Sequence, residues 1–157
     1  MRPVTSAPFV VDSETLLAFF DPIDTWHPDA SRQMLSMLEE GRPLVLPANV
    51  ICDVMTGAYM ARGEEEMQRK VEGFIQELVA GVYPIDEKIA QSAAWLRAQY
   101  IDLPFSEAVV LSTAKAISAD FILTCQAHWP RMDSRAMVIR PGPIDPPPSV
   151  PTGITAD

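Results

Sequence analysis

The segment Leu103–Trp129, LPFSEAVVLSTAKAISADFILTCQAHW, constrains the fold more than any other part of the chain. It reads as an amphipathic helix with an acid, Glu107, in its first turn, then a short connection, then an apolar strand, Phe121–Thr124, that ends at the polar pair Cys125-Gln126. The comparable strand near the N-terminus, Phe9-Val10-Val11, ends at Asp12. An acid at a strand end and another in the first turn of a helix are how an α/β fold gathers charge at one edge of its sheet. Carboxylates clustered in that way usually hold a hard divalent cation.

The rest of the chain alternates in the same manner. A helix is expected over Ser13–Phe20 with Ser13 as its cap, then a loop punctuated by Pro22 and Pro28, and a helix over 30–40 stopped by Gly41. Leu44-Val45-Leu46 reads as a strand, and Pro47 opens a helix reaching Arg62 with Val50, Ile51, Val54 and Tyr59 on its apolar side and Asp53 beside them. Gly63 breaks it, and Glu64-Glu65-Glu66 begins the next helix, complementing its dipole. Val82–Ile85 is the next expected strand, Asp86 caps a helix ending near Gln99, the helix over Pro104–Ile117 follows, and a last strand is expected over Ala136–Ile139. Strands alternating with helices imply an α/β fold, a central parallel sheet flanked by helices. The expected domain is 1–140. Residues 141–157, PGPIDPPPSVPTGITAD, form a Pro-rich tail expected to be extended and flexible.

Composition narrows the function. The chain has 157 residues, enough for one domain with a substantial core, and 48% of them are apolar, which excludes a wholly disordered chain. No apolar run approaches the roughly 20 residues of a membrane span, and MRPVTSAPFVV lacks the apolar core of a secretory signal, so a cytoplasmic protein is expected. Cys52 and Cys125 make no disulfide scaffold, and with His27 and His128 they match no zinc spacing; they read as two small buried residues. A net charge of −9 argues against a protein that coats nucleic acid through Lys and Arg. It leaves room for an enzyme that meets nucleic acid through bound metal, and for a basic partner.

If the helices bearing Asp53 and Glu107 start at the sheet edge where Asp12 and Gln126 stand, three carboxylates and an amide converge. Two unit charges about 4 Å apart repel by about 4 kcal/mol at an effective dielectric near 20. Mg²⁺ or Mn²⁺ would relieve that repulsion, orient a water and lower its pKa. The same residues also have plainer readings: Asp12 as a helix-capping acid, and Glu107 as a first-turn acid complementing a helix dipole. Thr124 and Ser13 are placed to hydrogen-bond Asp12 or nearby backbone. His128 and Trp129 are candidates to touch a base or sugar, and Arg32, Arg62, Arg97 and Arg131 to touch phosphate.

Three pieces, VVDSETLLAFF, LPANVICDVMTGAYMAR and LPFSEAVVLSTAKAISADFILTCQAHW, together resemble a PIN domain, and most closely the toxin ribonucleases of the VapC type. In that family the first piece carries an Asp, matched by Asp12. The second carries a Glu, where this chain has Asp53. The third carries Asp-Ala, where Glu107-Ala108 stands, and its strand ends Thr-x-Asp or Thr-x-Asn, where Thr124-Cys125-Gln126 stands. The resemblance implies a PIN-like three-layer fold, a metal-dependent endoribonuclease using Mg²⁺ or Mn²⁺ held by Asp12, Asp53 and Glu107 with Gln126 beside them, a small antitoxin partner and a homodimer. Asp53 is one methylene shorter than the family's Glu and Glu107 one longer than its Asp, each about 1.5 Å of reach, so the two exchanges offset each other if both face one ion. The changed acids equally suit a catalytically degenerate PIN-fold protein acting as a binding or assembly module. The run Asp12-Ser13-Glu14-Thr15-Leu16 also loosely resembles the nucleophile motif of haloacid dehalogenase-type phosphatases. That motif requires a second Asp where Glu14 stands, and an acid pair where this chain has Cys125-Gln126, so the phosphatase reading is set aside.

Overall fold

A computed structural model describes residues 6–60 and 65–139. Its order is β1 (Phe9–Val11), α1 (Ser13–Phe20), α2 (His27–Glu39), β2 (Leu44–Pro47), α3 (Ala48–Met60), α4 (Glu65–Leu78), β3 (Val79–Tyr83), α5 (Glu87–Gln99), α6 (Phe105–Ala116), β4 (Phe121–Thr124) and β5 (Ala136–Val138). A 3₁₀ turn over Trp129–Arg131 joins the last two strands. The strands form one sheet in the order β3-β2-β1-β4-β5, and every pairing is parallel. Helices flank this sheet, as the alternation of short apolar strands with helices predicts.

The topology locates a site before any side chain is considered. The chain builds outward from β1 to β2 and β3, then returns to place β4 and β5 on the other side of β1. β1 and β4 therefore bracket the switch point, and ligands of open α/β sheets bind beyond the carboxyl ends of the strands there. Val11 pairs with Leu123 in register, so Asp12 and the residues after Thr124 emerge together from that edge. All three residues of β1, and Ile122 and Leu123 of β4, are fully buried, which covers both faces of the sheet centre and holds the edge rigid.

Several elements differ from their expected bounds. The third strand lies at Val79–Tyr83, starting three residues and ending two residues earlier than expected, because α4 runs to Leu78 and passes straight into the sheet. Ala80 and Gly81 are poor strand formers, and the β2–β3 register shifts between Leu44 and Val45, which leaves Ala80 unmatched. Pro84, with no N–H to donate, ends this edge strand. The cap of α1 is Asp12, not Ser13: Asp12 has extended dihedrals and accepts the Thr15 N–H, while Ser13 is already helical. In α3 the buried positions are Val50, Val54 and Ala58, one stripe at four-residue spacing. Cys52 and Tyr59 lie off that stripe and are exposed, contrary to their expected burial. Gly41 stops α2 with φ 74°, a left-handed conformation that favours glycine. The helix end expected at Arg62, the break at Gly63, the start at Glu64 and the 141–157 tail lie outside the described residues.

Ile122 is fully buried at the middle of the sheet, between β1 and β5. Ile122→Ala is expected to cost about 2–5 kcal/mol through lost burial and the cavity left behind. Urea unfolding of both proteins checks this, and a loss well under 1 kcal/mol would contradict a close-packed sheet centre.

Candidate active site

Beyond the carboxyl ends of β1 and β4 lies a pocket of about 160 Å³ lined by Asp12, Ser13, Glu14, Asp53, Ser106, Glu107, Val110, Gln126 and Trp129. All four residues singled out in the sequence, Asp12, Asp53, Glu107 and Gln126, border it. Each arrives from a different element, and each is held by a neighbour.

Asp12 is the anchor and is only 5% exposed. One carboxylate oxygen accepts the Thr15 N–H at 2.8 Å, capping α1, and the other accepts the Thr124 hydroxyl at 2.5 Å. Burial pushes the Asp12 carboxyl above its ordinary range, while its hydrogen bonds to Thr124, Thr15 and the Cys125 backbone pull the other way. The Thr124 hydroxyl also accepts the Gln126 N–H at 2.9 Å, so one threonine fixes both the acid and the residue after the strand. Gln126 then donates through its amide to Glu14 at 2.7 Å.

Asp53 stands in the second turn of α3, half-buried, and accepts the Ser13 hydroxyl at 2.6 Å. Glu107 stands in the first turn of α6 and accepts the Trp129 indole N–H at 2.9 Å, with His128 Nε2 3.6 Å from the same oxygen. The two helices are tied together at this edge by Asn49, whose amide donates to the Ser106 carbonyl at 3.0 Å. Trp129 is fully buried, so it forms the pocket wall and positions Glu107 instead of presenting a face to a base.

Glu14 is the residue the sequence reading missed as a site acid. It lies in the first turn of α1, and its carboxyl is pushed up by partial burial and then by the charges of Asp12 and Glu107. The legible signal was spacing: Glu14 is two residues past the capping acid, in the first helical turn at the same sheet edge. Cys125 contributes no nucleophile. Its half-buried thiol is pushed up to about 11, chiefly by burial, and it lies 3.5 Å from the Thr15 hydroxyl.

The pocket therefore gathers four carboxylates with no Lys or Arg among its lining residues. Oxygen donors and excess negative charge are what a hard divalent cation requires. The side chains are not drawn onto one point, however: among the described residues, no three His, Cys, Asp or Glu groups stand close enough to hold a metal ion. Of the candidate phosphate contacts, Arg32 is paired with Asp29, Arg97 donates to the Leu103 carbonyl, Arg62 lies outside the described residues, and Arg131 is exposed.

No protein-family model and no curated protein matches the chain in sequence. Solved structures do match in shape. The DNA-bound VapBC complex of Salmonella typhimurium contains a chain that aligns with a TM-score of 0.68 at 16% identity, over 86% of this chain and 100% of that one. A chain of a toxin–antitoxin complex from Klebsiella pneumoniae aligns with a TM-score of 0.64 at 19% identity, over 86% and 98%. VapC20 of Mycobacterium tuberculosis, described as a sarcin-ricin loop cleaving toxin, aligns with a TM-score of 0.65 at 16% identity, over 80% and 95%.

The raised carboxyls make a pH prediction. A carboxyl whose folded pKa lies above its ordinary value keeps a proton in the folded chain that the unfolded chain has already lost. Its favourable contribution is present at low pH and is lost as pH rises through the raised value. In chelator-containing buffer, Asp12→Asn should therefore be more stable than wild type at neutral pH, since Asn keeps a capping oxygen and also removes a charge that raises Glu14. That advantage should shrink as pH falls toward the ordinary carboxyl value of 3.8. Thermal melts at stepped pH measure it, and a pH-independent difference would mean that Asp12 is not buried as described. These matches give the chain its fold, the PIN-domain fold shared with the toxin chains of VapBC-type complexes.

Proposed function

We propose that the chain is a metal-dependent endoribonuclease that hydrolyses RNA phosphodiesters, the toxin component of a toxin–antitoxin pair. One observation carries the reading: Asp12, Glu14, Asp53 and Glu107 share a pocket at the switch point of a PIN fold, where partial burial and then the charges of Asp12 and Glu107 raise the Glu14 carboxyl. Asp12, Asp53 and Glu107 are the residues that would hold Mg²⁺ or Mn²⁺. When bound, the ion supplies a water of lowered pKa and Lewis-acid stabilisation of charge on the phosphate. The chain's own part is positioning. Thr124 and the α1 N-terminus fix Asp12, Ser13 orients Asp53, and the Trp129 indole orients Glu107. The Gln126 amide oxygen, left free by the donation to Glu14, faces the role of orienting the attacking water.

Partners follow from the same reading. An antitoxin would block the acidic pocket and seat apolar side chains nearby. A hollow of about 290 Å³ between α1, α3 and α4, lined by Leu17, Phe20, Val54, Ala58, Met67 and Val71, offers such a seat. Of the methionines on α3 and α4, Met55 and Met67 pack partly against the core, while Met60 is 75% exposed. A homodimer belongs to the proposal as well. No helix among the described residues is long and apolar enough to cross a membrane.

A binding module without catalysis is the second reading. It is favoured by the hydrogen bonds that already occupy Asp53 and Glu107, and by the absence of a converged ligand group among the described residues.

Structured RNA incubated with folded chain in Mg²⁺ or Mn²⁺ separates the two. Metal-dependent cutting that is lost in Asp12→Asn supports the nuclease; no cutting from inhibitor-free, folded wild type supports the module. A readout independent of turnover accompanies it. Ion binding at about 100 times its dissociation constant adds about 2.7 kcal/mol to stability. Mn²⁺ should thus raise the melting temperature of wild type well above its effect on Asp12→Asn, and equal shifts would place the ion elsewhere.

A further inference from the structure

The acidic pocket has a neighbour of different character. Trp129 and Glu107 wall the pocket, and the adjoining residues of the same two segments open on a second hollow of about 320 Å³, toward the lower end of the ~300–1,000 Å³ range of ligand clefts. Tyr100, Ile101, Met132, His128, Arg131 and Asp102 line this hollow, and its surface is mainly apolar. The apolar groups are accessible: Ile101 is 89% exposed and Tyr100 39%. The hollow is also firmly built. Leu103 N–H donates to the Tyr100 carbonyl, Arg97 clamps the Leu103 carbonyl at 3.2 Å, and the 3₁₀ turn is closed by Met132 and Asp133 N–H groups donating to the Trp129 carbonyl.

Its charge is the second observation. Most described arginines are spoken for: Arg32, Arg42, Arg69 and Arg135 by carboxylates, and Arg97 by a carbonyl. Arg131 makes no ion pair or side-chain hydrogen bond among the described residues, and it projects from the turn whose first residue, Trp129, holds Glu107. His128 stands between the two cavities, with Nε2 3.6 Å from Glu107. In a chain of net charge −9, an uncommitted guanidinium that lines one hollow with the Tyr100 ring is a local site for a planar, anionic group. Asp102 is the one carboxylate on the same lining, and it disfavours a small free anion more than a nucleotide whose base fills the apolar wall.

We infer that this hollow is the subsite for a nucleotide flanking the scissile phosphate of single-stranded RNA, with the base against Tyr100, Ile101 and Met132 and its phosphate on Arg131 and His128. The inference rests on the nuclease reading for its substrate class, while its test is binding, which needs no catalysis. Positioning follows from the shared walls: a strand held in the hollow presents its next phosphate at Glu107 and the acidic pocket.

Binding of a short, fluorescently labelled single-stranded RNA of mixed sequence to the full chain in chelator-containing buffer tests it, across a salt series. Tyr100→Ala should weaken binding about tenfold, within the range for loss of one base–aromatic stack. Arg131→Gln should weaken it and lower the slope of log K against log salt by about 0.7, the loss of one phosphate contact on a single strand. Arg69→Gln, at an exposed position of α4, should leave both quantities unchanged. Circular dichroism melts confirm that the variants fold. If wild type binds and Tyr100→Ala and Arg131→Gln bind as it does, or if wild type does not bind, the subsite is overturned, whatever cleavage shows. If the variants lose binding while wild type cuts nothing in Mg²⁺ or Mn²⁺, the subsite stands and the nuclease reading falls.

Discussion

The bond between the Thr124 hydroxyl and the buried Asp12 carboxylate is the constraint on which the rest of the site depends. It spans the switch point, joining the end of β4 to the residue that leaves β1. A carboxylate this buried is costly unless charge or hydrogen bonds offset it. Here the Thr15 N–H, at the positive end of α1, and the Thr124 hydroxyl offset part of that cost, and burial still leaves the carboxyl raised. The helix-capping and functional readings of Asp12 are thus not alternatives. The cap is what holds the acid at the sheet edge with its oxygens fixed, and the same threonine passes the constraint on to Gln126 through its backbone N–H.

The two acids that the family resemblance marks as exchanged, Asp53 and Glu107, are held by neighbours rather than by bare reach. The shorter Asp53 meets Ser13, which is free to reach across because Asp12 has taken over the capping. The longer Glu107 meets the Trp129 indole, whose ring is fully buried and therefore fixed. A single donor on each acid leaves lone pairs for a further ligand, since an ionised carboxylate accepts at about four positions. The hydrogen bonds thus orient the acids without exhausting them. The Asn49 clamp onto Ser106 keeps the two helix starts at a set separation, so the distance between Asp53 and Glu107 is governed by backbone as well as by side chains.

Much of the fold was legible because its signals are local. Runs such as FVV, LVLP and FILT, the cap at Asp86 and the stop at Gly41 each reveal an element without knowledge of its neighbours. The strand that was misplaced, Val79–Tyr83, is an edge strand with a bulge and weak formers, where pairing with β2 decides the bounds and propensity does not. The candidate acids were legible as residues at an expected edge. Their partners were not, since Ser13 to Asp53 and Trp129 to Glu107 are contacts across 40 and 22 residues that only the tertiary structure can specify. Glu14 was passed over for the same reason: alone it is a first-turn helix acid, and only the approach of Asp12 and Glu107 makes it part of a charged cluster. Cys52 shows the converse, a residue whose type suggests burial but whose helix phase turns it outward.

Charge joins these observations. A net charge of −9 repels a polyanion only over a short range, because exposed charges are screened beyond about 8 Å at physiological ionic strength. Approach is therefore decided at the pocket mouth and not by the whole surface. There, the clustered acids repel one another and would repel a phosphate placed among them, so the acidic pocket is costly to the fold without a counter-charge. A bound divalent cation would reverse both effects at once, while Arg131, set beyond the Trp129 wall, offers a cationic foothold apart from the acids. On the proposed reading, a buried aromatic ring between the two cavities would let one edge of a small sheet carry a cation site and an anion site apart from each other. That separation is fixed by the 3₁₀ turn, which presents Trp129 to one cavity and Arg131 to the next.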